Sequence, residues 1–149
     1  MLLKQLKHWW RDQRGEYLVH FVLLFPVAIV MLGLVIDGGF MYQQYRYAQT
    51  TVEGAAQAAS HEIDVNHFRA TDQVVLNQSA ASAIAQQFIA LNKSKYLVKT
   101  QITTQPTRIT VWGKAKIPTI FFKIFGVSEL VVTVSGQGYP AFGINREGE

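Results

Sequence analysis

A chain of 149 residues, 49% of them apolar, has room for one domain of ordinary size, on the order of 100 residues, plus an anchor. Its formal charge of +4 is concentrated at the start, where Lys4, Lys7, Arg11 and Arg14 stand against Asp12 alone. The remaining cations are interleaved with seven carboxylates beyond Gly38, which argues against a nucleic-acid groove, where cations and stacking aromatics gather on one face; the absence of cysteine excludes disulfides and thiol chemistry.

The opening segment "MLLKQLKHWWRDQR" sets Leu2, Leu3, Leu6, Trp9 and Trp10 at helical spacing opposite its lysines. That is an interfacial amphipathic pattern; a short disordered basic leader is the alternative. From Tyr17 to Ile36 no residue carries a charge, and the apolar run is broken only by His20 and Pro26. A helix of that length spans about 30 Å, the hydrocarbon thickness of a bilayer, whereas core helices of soluble proteins are usually shorter and carry a polar face. Secretory signal peptides have shorter apolar regions followed by an A-x-A-like site. Here the first alanine after Asp37 is Ala48, so the anchor is expected to stay. Four basic residues precede the run and only Arg46 closely follows it, so the positive-inside rule predicts a cytoplasmic N-terminus with everything after Asp37 on the other side. The expected divisions are a basic leader at 1–15 and a transmembrane helix at 16–37.

No proline follows until well beyond Asn66, and Met41, Tyr45, Ala48, Val52, Ala55, Ala59 and Ile63 recur at spacings of four and three. This heptad-like seam predicts that the helix runs on as a stalk through 38–66. Its small residues permit close approach of another element, either a neighbouring subunit or the chain's own domain, the latter being the simpler expectation. "HEIDVNHFRATD" breaks the pattern and reads as a loop. A second helix is predicted from Asp72 or Asn77 to Asn92, capped by Asn77 or Ser79.

From Tyr96 the period changes to two. "YLVKTQITT", "TRITVWGKAKI" and "ELVVTVSGQGY" read as strands, the second with Ile109, Val111, Gly113, Ala115 and Ile117 on its buried face. Gln105 and Pro106 are expected at the turn between the first two. "PTIFFKIFG" reads as a short amphipathic helix entered at Pro118 and capped by Gly126, and residues 140–149 as a loose tail. The fold class is therefore α+β: a long N-terminal helix packed with a small antiparallel sheet and a second helix, residues 67–139 forming the extracytoplasmic domain.

Chemistry-bearing residues are sparse. His61, Glu62, Asp64 and His67 gather ligand-type side chains, but HExxH sites need histidines four apart, and six residues along a helix leave these two about 120° off one face. A polar loop is the expected reading, with no catalytic, cofactor or metal residue assigned. His20 lies within the apolar run about one turn from its start, where snorkelling or neutral packing accounts for it.

The order of features resembles the TadE/TadG-like pilus-assembly proteins of bacterial tight-adherence (Tad) pilus systems. The matching pieces are a basic leader ending "RG", the proline-interrupted run "FVLLFPVAIVMLGLVID", the tyrosine-rich exit "GGFMYQQYRYAQ", the alanine-rich "TTVEGAAQAAS" and the closing "KAKIPTIFFKIFGVSELVVTVSGQG". The resemblance implies a membrane-anchored pseudopilin or minor pilin, a non-enzymatic subunit in the bacterial inner membrane that works with other pilins and inner-membrane assembly proteins and binds no nucleic acid. A single-pass anchored binding module outside any fibre is the alternative. The resemblance also raises prepilin-peptidase cleavage between Gly15 and Glu16. In typical substrates a glutamate occupies the fifth mature position; His20 stands there in this chain, and an uncut, membrane-retained form is the competing expectation.

Overall fold

The computed structural model describes residues 15–92 and 95–140; the amphipathic leader expected before Gly15 lies outside them. The longest element is helix α1, Glu16–Ala59, 44 residues and therefore about 66 Å long. Pro26 lies inside it without ending it. The two halves of α1 meet different surroundings. Every residue from Tyr17 to Ile36 is exposed except Gly33, whereas Ala48, Val52, Ala55, Ala56 and Ala59 are fully buried.

The helix stops at Ala59, seven residues before the expected end of the stalk at Asn66. The reason is local competition for backbone groups. The Ser60 N–H closes the last turn onto the Ala56 and Gln57 carbonyls, and its hydroxyl donates to Gln57 as well. Ile63 then forms a bridge with Leu76, and the Asp64 carboxylate accepts from the Asn66 and His67 N–H groups. This N-cap starts helix α2, Val65–Thr71, where a loop was expected. Helix α3, Gln78–Asn92, begins with the Asn77 Oδ1 accepting from the Ala80 N–H at 3.2 Å.

Strands β1 (Leu97–Gln105), β2 (Arg108–Pro118) and β3 (Glu129–Gly138) form one antiparallel sheet in sequential order. Gln105 pairs with Arg108, leaving Pro106 and Thr107 as the tip of the first hairpin. Pro118 ends β2 and pairs with Glu129, so it does not open the segment that follows. That segment forms a 3-10 turn at Phe122–Phe125, ended by Gly126 at φ 87°, a backbone region that favours glycine. Pro140 is buried, and the rest of the expected tail, 141–149, lies outside the described residues.

The buried face of the sheet and helix α3 both lie against the distal half of α1. Ile109, Val111, Ala115 and Ile117 from β2 meet the alanine-rich helix face, with Ala81, Ala85 and Ile89 from α3 on its other flank. Ala48, Val52, Ala55, Ala56 and Ala59, all within the expected stalk at 38–66, thus share one core with the domain expected at 67–139. Tyr45, placed in the seam by spacing, is 37% exposed, whereas Ala48, Val52, Ala55 and Ala59 are fully buried.

Contact between sheet and helix is close because both surfaces are small. A Cβ on Gly136 would lie 2.6 Å from the Val52 carbonyl oxygen and the Glu53 Cα, and one on Gly138 would run into the Ala56 carbonyl. Backbone atoms cannot rotate aside. We therefore expect Gly136→Ala and Ala55→Leu each to destabilise the full-length chain by about 1–3 kcal/mol through overpacking, read from denaturant midpoints in detergent, with exposed Gln57→Ala as an unaffected control.

Candidate functional site

Where the bare half of α1 meets the domain, the chain changes from apolar to mixed, and the first charged residue after the charge-free run is Asp37. It is only 1% exposed. A carboxylate so enclosed needs hydrogen-bond donors, and the connection between β2 and β3 supplies three. Asp37 Oδ1 accepts from the Ile120 N–H at 2.9 Å; Oδ2 accepts from the Phe121 and Phe122 N–H groups at 2.9 and 2.8 Å.

These backbone groups lead into the 3-10 turn, so Asp37 acts as an N-cap delivered from more than 80 residues away. The geometry suits aspartate in particular. Both carboxylate oxygens accept, whereas asparagine would offer one acceptor and turn an NH2 group toward backbone donors.

One turn earlier on α1, Gly33 lets the Phe121 side chain lie directly on the helix: a Cβ there would be 2.7 Å from the Phe121 Cγ. The Thr119 hydroxyl donates to the Val127 carbonyl and the Thr119 N–H to that of Ser128, closing the neck of the loop. Below the neck, Lys116 and Glu129 pair across the strands at 2.9 Å, both about half exposed. Gly33, Asp37 and the 119–128 loop therefore form a collar that fixes the head domain to the helix just at the end of its bare half.

The residues singled out in the sequence fall elsewhere. Gly15 occupies the N-cap position of α1, its carbonyl accepting from the Val19 N–H at 3.1 Å; Glu16 is the first helical residue. His20 lies on the exposed first turns of the apolar run. Met41 is half-buried against the core, and Ala48, Val52, Ala55 and Ala59 are fully buried in it, the partner being the chain's own domain. In "HEIDVNH", Asp64 caps α2 and the Glu62 carbonyl accepts from the Asn77 N–H. No group of three or more metal-ligating side chains is assembled among the described residues.

Sequence reasoning missed Asp37 and Gly33 as the positions that hold the loop. Their signal was non-local: a lone carboxylate ending an apolar run, and a segment "TIFFKIF" whose one capping-type side chain, Thr119, is taken by the Val127 carbonyl.

The exposed apolar half of α1, about 30 Å long and continuous with the half that forms one side of a small α+β head, is long and apolar enough to cross a membrane. The family model for Flp pilus-assembly TadE/G-like proteins matches residues 19–87. The matched stretch runs from the apolar half of α1 into α3 and ends before the sheet, so this part of the chain is similar to TadE/G-like pilus-assembly proteins. No curated protein and no solved structure matches the chain.

Removing the Asp37 carboxylate should release the loop without unfolding the sheet. In Asp37→Ala and Asp37→Asn we expect the Ile120, Phe121 and Phe122 amides to exchange with solvent faster, by on the order of tenfold or more, while the β1–β2 amides keep their protection. Hydrogen exchange read by mass spectrometry on the detergent-solubilised chain checks this. Retained protection in Asp37→Asn would show that one acceptor oxygen suffices.

Proposed function

We propose that the protein is a membrane-anchored pseudopilin or minor pilin of a Tad-type pilus, with a structural rather than catalytic role. The observation that carries this reading is the two-part α1: one unbroken 44-residue helix whose first half is bare and apolar and whose second half is the spine of the head. A bare helix of that length needs a hydrocarbon environment. The bilayer supplies one, and the apolar helices of other pilins in a fibre core supply another. Its continuity with the head makes anchor and head one rod, so that packing of the anchors would fix the arrangement of the heads.

The orientation that follows from the basic leader is N-terminus in the cytoplasm and head outside it, in the bacterial inner membrane. A reporter active only outside the cytoplasm, fused at the C-terminus, should therefore give signal, and a cytoplasmic reporter there should not.

Processing is the second part of the reading. The Gly15–Glu16 bond sits at the mouth of the helix, where a membrane-embedded prepilin peptidase would meet a cytoplasmic leader. Cleavage there keeps the whole of α1. The new N-terminal ammonium would then need a partner in an apolar surrounding, and neutral His20 can accept a hydrogen bond but cannot neutralise a charge. On co-expression with the cognate peptidase we expect the intact mass of a chain beginning at Glu16, and His20→Glu to increase the fraction recovered in sheared fibres, with His20→Ala close to wild type. A mature N-terminus beyond Asp37 would remove the anchor and refute the pilin reading.

The alternative, an anchored binding module, has one observation in its favour. The outer face of the sheet carries a shallow depression of about 240 Å³ lined by half-exposed Trp112 with its cross-strand partner Gln101, by the cross-strand pair Lys99 and Lys114, and by Thr133. If Trp112→Ala abolished function while pilus assembly continued, this reading would prevail.

A further inference from the structure

The loop that Asp37 holds is itself apolar, and it does not point away from the bare helix. Ile124 is 78% and Phe125 65% exposed, and Ile120 and Val127 beside them are exposed as well. Together with the α1 residues Pro26, Ile29, Val30 and Leu34, the loop encloses a groove of about 300 Å³ with almost wholly apolar walls. From Ile36 back to Gly33 is about 5 Å along the helix, and from Ile36 back to Pro26 about 15 Å. If Tyr17–Ile36 fills a hydrocarbon layer about 30 Å thick, the loop and its groove lie within the half of that layer nearest the head domain.

We propose that the loop Thr119–Ser128 is a second membrane-inserted element, a wedge in the head-side leaflet whose exposed face and groove are covered by lipid acyl chains. The inference rests on the reading of Tyr17–Ile36 as the membrane anchor. Irregular backbone survives in hydrocarbon only when its polar groups are satisfied internally, and seven of this loop's N–H groups are paired within the protein, that of Thr119 with the Ser128 carbonyl. The N–H groups of Ile120, Phe121 and Phe122 go to Asp37; those of Ile124, Gly126 and Val127 go to the carbonyls of Phe121, Lys123 and Phe122. The Asp37 carboxylate is itself shielded, being 1% exposed.

The charges fit the same depth. Lys123, exposed on the turn, has a stem long enough to carry its ammonium toward the headgroups. The Lys116–Glu129 pair lies at the neck, at the level expected of the polar interface. A loop seated in this way would hold the head flush against the bilayer, where a single helix alone would leave it free to tilt.

The chain lacks cysteine, so single-cysteine variants report on one position each. Ile124→Cys, Leu23→Cys in the middle of the apolar run and Thr107→Cys at the tip of the first hairpin would be labelled with an environment-sensitive fluorophore. The full-length protein would then be reconstituted into phosphatidylethanolamine–phosphatidylglycerol vesicles containing doxyl-labelled lipid. The expected result is quenching at Leu23 and Ile124 that exceeds that at Thr107 several-fold, with Ile124 more sensitive to shallow than to deep doxyl groups and unaffected by the protein-to-lipid ratio. Quenching at Leu23 without quenching at Ile124 overturns the wedge and leaves the anchor intact. An unquenched Leu23 overturns the anchor itself. Quenching at Ile124 that appears only on diluting the protein in lipid overturns the wedge in favour of a second copy of the chain covering the groove.

Discussion

The architecture depends on one buried carboxylate. Asp37 stands at the point where α1 passes from fully exposed to partly enclosed, and the three backbone N–H groups it accepts are the link between the helix and the far end of the β2–β3 hairpin. Hydrogen bonds to an ionised acceptor are stronger than neutral ones, and leaving a buried donor unmatched costs more than forming the bond contributes. Both parties are therefore held: the carboxylate needs the donors, and the donors have no local cap. A contact that is costly to open from either side fixes the angle between a long helix and a small sheet better than apolar packing, which is non-directional.

Apolar packing provides the adhesion that this contact orients. The alanine face of α1 from Ala48 to Ala59 is flat, and β3 answers with glycines at positions 136 and 138, so helix and sheet meet backbone to backbone. At such separation, shape fit rather than side-chain bulk sets the strength of the contact. The larger core side chains, Leu97, Ile109, Ile117 and Val134, fill the space around it. Rigid continuity between anchor and head follows, since the segment that spans the core is the one that extends into the apolar half.

Much of this was legible in the sequence because it is periodic. The charge-free run, the alanine seam and the alternation in β2 each repeat a local rule, and the helix, the core face and the strands themselves follow from them. The parts that were not legible depend on pairs of residues far apart in the chain. Nothing near Asp37 names Ile120 as its partner, and nothing near Gly33 requires Phe121. The early end of α1 has a different cause: residues 60–66 are compatible with helix, but Ser60, the Ile63–Leu76 bridge and the Asp64 cap offer the backbone other partners there. Tyr45 fits the spacing and yet is 37% exposed, because periodicity marks a helix face but not where along it the packed elements begin.

The surfaces left uncovered define two environments for one molecule. In a bilayer, acyl chains can follow any contour, so the bare helix, the groove beside Pro26 and the protruding Ile124 and Phe125 are all accommodated together. In a fibre the same surfaces would have to be matched by the side chains of neighbours, and a groove without a fitting ridge would leave unfilled space. A subunit with a smooth apolar helix passes between these environments at little cost, whereas one carrying a lipid-seated loop must give up that contact when drawn from the membrane. If the chain is the pilus subunit proposed above, the collar would bear on the choice between an incorporated and a membrane-retained form alongside any processing after Gly15. Asp37, by holding the loop against the helix, would set how strongly the membrane-retained state is favoured.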